Sequence, residues 1–192
     1  MAADILPLTS LPPRVLETRR LKLRAITSAD VELVFNLYAS DPLATRYMTF
    51  KCTGRIEDTA SYVNSTARFF CGEESLYRQF VWIVELRETA QPIGSAGFGP
   101  KNKFCLSGGY IFNQNAWGKG YASEAWSCLL ELAKGEPGVY RIEALHHPDN
   151  LASGRVMQKA GMTFEGVFKR YVIHPNISEE PTDSVVYAWT RR

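Results

Sequence analysis

The sequence lacks the features of several large classes of protein. No uninterrupted apolar run reaches transmembrane length, and the segment from Met1 to Pro13 has no basic region followed by a long apolar core. We therefore expect a cytoplasmic protein with no membrane partner. The formal net charge is only +2 and the basic residues are scattered, so we expect no nucleic-acid partner either.

Metal-binding and disulfide patterns are also missing. The four cysteines, Cys52, Cys71, Cys105 and Cys128, have no close-pair spacing, which argues against a zinc site. The pair His146-His147 could hold a metal, but adjacent strand residues point to opposite faces and no third ligand is evident. We expect reduced thiols and no metal.

Internal repeats and low-complexity tracts are absent, and 192 residues fit a single domain. Pro7, Pro12 and Pro13 indicate an extended amino-terminal arm over residues 1–15. Residues 16–192 are then expected to form one domain, as a monomer or a homodimer.

Hydrophobic periodicity predicts both strands and helices. Leu21 and Leu23 alternate with basic residues, which is typical of a strand. The other assignments follow from apolar spacing, helix caps and glycine or proline breaks. The predicted strands are 16–24, 80–86, 91–99, 104–112, 139–146, 164–173 and 184–189, and the predicted helices are 30–39, 56–70, 120–134 and 148–162.

A glycine pair lies between a predicted strand and a predicted helix. Gly118 and Gly120 allow a tight turn whose successive N–H groups can point at one ligand, and the helix adds its own unpaired N–H groups. This order suits a phosphate or pyrophosphate. The dinucleotide fingerprint is excluded because Ser123 stands where a third glycine is needed, and Gly118-Lys119-Gly120 breaks the P-loop pattern.

The glycine turn resembles a known cofactor loop. Asn115-x-x-Gly118-x-Gly120 is similar to the Gln/Arg-x-x-Gly-x-Gly/Ala loop that binds acyl-CoA in the GNAT (GCN5-related N-acetyltransferase) superfamily, with Asn in place of Gln/Arg. The run 117–125 resembles the RimJ/RimL-type branch more closely. A second sequence signature of that branch is similar to residues 150–162, which begin with Asn150-x-Ala152-Ser153-x-x-Val156 and end at Met162.

This resemblance implies a fold and a co-substrate. The expected fold is mixed α/β, with a central, mostly antiparallel, twisted sheet flanked by about four helices and with two splayed strands at the acyl-CoA site. The expected co-substrate is acetyl-CoA, whose pantetheine arm lies between the splayed strands in the family. The implied cofactor-binding residues are Tyr110, Ile111, Phe112, Trp117, Gly118, Lys119, Gly120, Tyr121, Ala122, Asn150 and Ser153.

The expected reaction is direct transfer of an acetyl group to a primary amine. Many family members carry a glutamate base on the strand before the loop, but Ser107, Gly108 and Gly109 occupy that place. Glu143 on the adjacent strand is the nearest replacement, although a glutamate in this setting can also be a salt-bridged strand residue.

The proton donor is also atypical. Many members carry a tyrosine where this chain has Met157, which cannot donate a proton. In the resembled branch, Ser153 would hydrogen-bond the cofactor sulfur and Asn150 would orient the cofactor or a water. Either residue could instead simply cap the helix.

Two functions from different classes remain open. The first is an acetyl-CoA-dependent N-acetyltransferase acting on a protein N-terminus or a small-molecule amine. The second is a non-catalytic acyl-CoA-binding or regulatory module. This function remains open because the strand before the loop lacks the glutamate base. Aromatic residues such as Tyr47 could line a substrate groove, although core packing is their commoner role.

Overall fold

The computed structural model describes residues 8–73 and 78–192. Within these residues, eight strands form one sheet in the order β1-β2-β3-β4-β5-β6-β8-β7, and every neighbouring pair is antiparallel except β5 and β6. The mixed α/β fold expected from the sequence is confirmed. The strands are β1 (Val15–Glu17), β2 (Leu21–Ala25), β3 (Phe80–Leu86), β4 (Pro92–Asn102), β5 (Cys105–Phe112), β6 (Arg141–His146), β7 (Thr163–Ile173) and β8 (Pro181–Thr190).

In the described ranges, five α-helices connect and cover the sheet: α1 (Val31–Val34), α2 (Pro42–Thr45), α3 (Ile56–Phe69), α4 (Tyr121–Lys134) and α5 (Leu151–Lys159). A 3-10 turn precedes α1 and a π turn follows it, so the chain is helical throughout the predicted segment 30–39. The short helix α2 was not predicted. Within the described part of the chain, no helix combines the length and apolarity needed to cross a bilayer.

The predicted strand over residues 16–24 is wrong as a single element. The chain turns back at Thr18, whose N–H donates to the carbonyl of Leu21 at 2.9 Å, and β1 pairs antiparallel with β2. Leu21 and Leu23 are fully buried on β2, so the alternation that suggested a strand belongs to β2 alone.

The predicted arm is only partly described, since residues 1–7 lie outside the described range. Its remaining residues approach the domain closely: both the N–H and the hydroxyl of Thr9 donate to Glu136 at 2.8 Å. β1 begins at Val15, one residue inside the segment assigned to the arm.

The two faces of the sheet carry separate apolar clusters. α4 and α5 pack on one face, where Trp82, Trp126 and Met157 lie in the same buried cluster as Ile142 of β6. The helical segment 28–39 and α3 pack on the other face. Burial of a large apolar side chain stabilises a fold by roughly 1.5–3 kcal/mol, so these clusters hold the helices on the sheet.

β5 and β6 run parallel and part after a short contact. They pair only over Cys105–Ser107 and residues 141–143, and from Gly108 onward the two strands have no register pairs. The splayed strand pair expected from the resemblance is confirmed. The gap between them opens toward the carboxyl ends of both strands.

Candidate active site

A cavity of about 570 Å³ lies beside this gap. Its walls come from the end of β5, the loop that precedes α4, the first turns of α4 and α5, and the region of α2. Most of the predicted site residues line it: Tyr110, Ile111, Phe112, Trp117, Gly118, Gly120, Tyr121, Ala122, Asn150 and Ser153.

The glycine loop is shaped by local contacts. The Asn113 side chain accepts from the Ala116 N–H at 3.2 Å, and the Trp117 indole N–H donates to the carbonyl of Phe112 at 2.8 Å. Gly118 and Gly120 have φ angles of 74° and 79°, a left-handed conformation that favours glycine. The predicted tight turn is therefore present.

Gly120 is also the N-cap residue of α4. It has no side chain to bond the first N–H groups of the helix, so these groups are available to an anion. Lys119 belongs to the loop but does not line the cavity.

Basic residues that the sequence analysis missed add positive charge to the same cavity. Arg155 and Lys159 line it from α5, four residues apart and therefore on one side of the helix. This spacing was visible within the predicted helix 148–162 and could have identified both residues. Together with the uncapped N-terminus of α4, they make the cavity suited to phosphate groups.

The first turn of α5 is organised by Asn150 and Ser153. The Asn150 side-chain oxygen accepts from the Ser153 N–H at 3.2 Å, so Asn150 caps the helix as the simpler interpretation expected. The Tyr110 hydroxyl donates to the Ser153 carbonyl at 2.9 Å and lies 2.9 Å from the Ser153 hydroxyl. Both Asn150 and Ser153 also line the cavity, so capping does not exclude a role in binding.

Tyr110 is held in its neutral form. Burial raises the pKa of its hydroxyl, and the hydrogen bond with Ser153 opposes that effect only in part. The site therefore offers a protonated phenol beside the serine hydroxyl.

Glu143 does not line this cavity. Alternation along β6 places it on the face opposite to Ile142, which packs with α4 and α5. Its side chain is 6% exposed, and its two oxygens accept from Lys101 and from Arg141, at 2.5 and 3.1 Å. Arg141 also forms a two-pronged pair with Glu165. This geometry matches the alternative that Glu143 is a salt-bridged strand residue. Because both of its oxygens already accept from cations, the geometry disfavours Glu143 as the proton acceptor.

The two adjacent histidines have structural contacts. His146 Nδ1 donates to the carbonyl of His147 at 2.8 Å, and its ring packs so closely on Gly154 that a Cβ there would lie 2.8 Å from Nε2. His147 Nδ1 accepts from the Asp149 N–H at 3.2 Å. Among the described residues, no group of three or more His, Cys, Asp or Glu side chains could hold a metal ion.

The wall opposite the glycine loop is built from residues near α2. Tyr47 lines the cavity, and its ring stacks on His147 with a centroid distance of 5.3 Å. Asn176, in the loop between β7 and β8, stabilises this wall through its side chain. It accepts from the Cys52 N–H at 2.7 Å and donates to the Thr45 carbonyl at 2.8 Å. Leu43, Ala44 and Met48 complete this wall.

Comparison with known proteins agrees with this geometry. The acetyltransferase (GNAT) domain family matches residues 20–163. The chain is 32% identical to the uncharacterized N-acetyltransferase YoaA of Bacillus subtilis (strain 168), over 91% of this chain and 95% of that protein.

Solved structures share the fold. A GNAT-family acetyltransferase from Bacillus anthracis superposes with a TM-score of 0.77 at 29% identity, over 92% of this chain and 98% of that one. RimL, a ribosomal L7/L12 alpha-N-protein acetyltransferase solved in complex with coenzyme A, superposes with a TM-score of 0.76 at 17% identity, over 92% and 97%. The match of the domain family to most of the chain, and a relative of similar length, show that this protein belongs to the GNAT acetyltransferase family.

Proposed function

We propose that this protein transfers the acetyl group of acetyl-CoA directly to the nitrogen of a primary amine, either a protein N-terminus or a small-molecule amine. The co-substrate is acetyl-CoA, which supplies an activated thioester. The observation that carries the proposal is that one cavity joins the glycine loop, the end of β5 that is unpaired on the β6 side, and the Tyr110–Ser153 pair.

The residues of the cavity fit such a co-substrate. Gly118 and Gly120 leave their Cβ positions empty, with no atom within 4 Å of the first and only Arg20 near the second, so phosphate oxygens can approach the main chain. Among the residues that the structure describes, β5 has no partner on the β6 side beyond Ser107, which leaves backbone groups for an amide-bearing arm.

The chain's own groups would assist the transfer at three points. A main-chain N–H between Tyr110 and Phe112 would polarise the thioester carbonyl. Ser153 would donate a hydrogen bond to the sulfur as the C–S bond breaks, with Tyr110 and Asn150 holding it in place. We propose that the ammonium form of the substrate first loses a proton to water, because Glu143 is paired with Lys101 and Arg141. The neutral amine then forms the C–N bond as the C–S bond breaks, its nitrogen gives up a second proton to solvent, and the sulfur leaves as a thiolate that takes a proton from solvent.

We further propose that the protein acts in the cytoplasm, that residues 16–192 form its catalytic domain, and that it belongs to the RimJ/RimL-type branch. Supporting the branch are the two sequence strings around Gly118 and Ser153 and the structural similarity to RimL.

A panel of amines tests the proposal. Release of free thiol from acetyl-CoA would be followed with peptides bearing free N-termini, polyamines, amino acids and amine-bearing antibiotics. We expect turnover with at least one class, and a kcat about a hundredfold lower in Ser153→Ala. Tight binding of acetyl-CoA without turnover of any amine would instead support the non-catalytic binding module.

A further inference from the structure

The turn between β1 and β2 lies against the first turn of α4. Glu124 of α4 accepts three hydrogen bonds from it: from the Thr18 hydroxyl at 2.6 Å, the Arg20 N–H at 2.8 Å and Arg20 Nε at 2.7 Å. The turn is held from behind by Arg87, which donates to the carbonyls of Thr18 and Arg20 at 2.9 Å. The amino-terminal hairpin is thus rigidly attached to the helix that follows the glycine loop.

Arg20 reaches beyond α4 to the loop itself. Its Nη1 donates to the carbonyl of Lys119 at 3.0 Å, and its guanidinium carbon lies 4.7 Å from the centre of the Tyr121 ring. Its Nη2 is the atom nearest to the empty Cβ position of Gly120, at 3.5 Å. Nothing in the described part of the chain accepts a hydrogen bond from Nη2.

The bond to Lys119 fixes the direction of one peptide unit. In a trans peptide the C=O and the following N–H point in opposite directions. The Lys119 carbonyl faces Arg20, so the Gly120 N–H points away from it. Gly120 lines the cavity and caps α4, and its N–H belongs to the group of donors that an anion would use.

Arg20 also balances a negative charge beside the anion site. Burial disfavours the charged form of Glu124, but the hydrogen bonds from Thr18 and Arg20 outweigh it and lower the pKa of the carboxyl. Glu124 therefore stays charged in the first turn of α4, where it would repel phosphate groups. The guanidinium pairs with that charge and adds a positive one next to Gly120.

We propose that Arg20 is a positioning residue for the acyl-CoA loop. It orients the Lys119–Gly120 peptide and offsets the negative charge of Glu124. Because Arg20 lies in the turn between β1 and β2, affinity for the pyrophosphate part of the co-substrate depends on this amino-terminal hairpin. This inference rests on the proposed use of acetyl-CoA and concerns its binding, which is measured separately from amine transfer.

Three variants test it. Arg20→Ala removes the side-chain contacts with Glu124 and with the Lys119 carbonyl. Arg20→Lys keeps the charge but cannot bond both groups in the same way. The control is Arg19→Ala, which removes an exposed charge from the same turn. Binding of coenzyme A would be measured by calorimetry. We expect about tenfold or greater weakening in Arg20→Ala, a smaller loss in Arg20→Lys and wild-type affinity in Arg19→Ala.

A truncated substrate separates positioning from general damage to the fold. S-acetyl-pantetheine lacks the pyrophosphate, so its kcat/KM should be the same in wild type and Arg20→Ala, while the KM for acetyl-CoA rises and kcat is retained. Wild-type affinity for coenzyme A in Arg20→Ala would overturn the inference. Equal losses with both substrates would overturn it too, because they would indicate disruption of the whole site.

Discussion

The Tyr110 hydroxyl lies 2.9 Å from both the carbonyl oxygen and the hydroxyl of Ser153. It carries one proton and can donate to only one of them at a time. When it donates to the Ser153 hydroxyl oxygen, the serine proton is free to point into the cavity. When it donates to the Ser153 carbonyl instead, its oxygen can accept the serine proton, so the direction in which Ser153 donates is coupled to the orientation of the Tyr110 hydroxyl.

The first prediction follows from this pair. Ser153→Ala should lower kcat by about a hundredfold, because loss of proton assistance to a leaving group has that magnitude, and should leave acetyl-CoA binding nearly unchanged. Tyr110→Phe should lower kcat by about tenfold. Since Tyr110 acts through Ser153, the double variant should be no slower than Ser153→Ala, which steady-state kinetics would check. Multiplied losses in the double variant would show that the two residues act independently.

Glu143 provides the second prediction. Glu143→Gln should leave kcat within about threefold of wild type, and the acidic limb of the pH–rate profile should follow the ionisation of the amine. The variant should instead lose about 1–3 kcal/mol of unfolding free energy, because Lys101 and Arg141 lose the buried carboxylate with which they pair. Denaturant unfolding and a pH series measure both effects.

A matched control for that experiment is Glu131→Gln. Glu131 pairs with Lys134 on the exposed side of α4, and such surface pairs contribute about 0–1 kcal/mol. If Glu143→Gln abolished turnover and removed the acidic limb, Glu143 would be the base after all.

The third prediction concerns the loop. Gly120→Glu should abolish the thermal stabilisation that acetyl-CoA gives, because it places a carboxylate where phosphate groups are expected. Gly72→Glu is the control: Gly72 has a similar φ of 76° and open space around its Cβ position, but it lies in the turn after α3. Both variants should lose similar intrinsic stability, and only Gly120→Glu should stop responding to acetyl-CoA. Retained stabilisation in Gly120→Glu would place the co-substrate elsewhere.

The fourth prediction is a dependence of stability on pH. Burial lowers the pKa of both His146 and His174 below the usual histidine value. The unfolded chain therefore binds more protons than the folded one below about pH 6.5, and the unfolding free energy should fall as the pH drops from there toward 5. Each histidine contributes at most about 1.4 kcal/mol per pH unit to the change of the unfolding free energy with pH.

Urea unfolding at several pH values would measure this slope in wild type, His146→Gln and His174→Gln. Each replacement should flatten the curve between about pH 5 and 6.5, since it removes one such histidine. A wild-type stability that is constant over this range would contradict the prediction.

Features that depend on local backbone chemistry could be predicted from the sequence. Gly118 and Gly120 are informative because few residues other than glycine adopt positive φ, and the helix after them follows from apolar spacing. The start of α5 at Asn150 is likewise a local signal, since an asparagine side chain caps a helix through its own neighbours.

Features that depend on distant partners could not be predicted. Glu143 is paired with Lys101 and Arg141, and Arg141 is also paired with Glu165 on β7. Glu165 meets Arg141 only after the sheet has formed. The turn at Thr18 was missed for a similar reason, because its hydroxyl is bonded by Glu124 more than a hundred residues away. Periodicity alone cannot distinguish one long strand from two short ones joined by such a turn.

The short contact between β5 and β6 gives the sheet an interior discontinuity in addition to its outer strands β1 and β7. Exposed strand edges generally invite pairing with other polypeptides, which promotes aggregation. Here the extra edges face each other across a gap, with α4 and α5 packed over the same face of the sheet. A slender, unbranched molecule that carries amides can hydrogen-bond to the strand groups left unpaired beside this gap. The backbone groups that such a ligand needs therefore lie inside the sheet and not on its outer edges, where other polypeptides would pair.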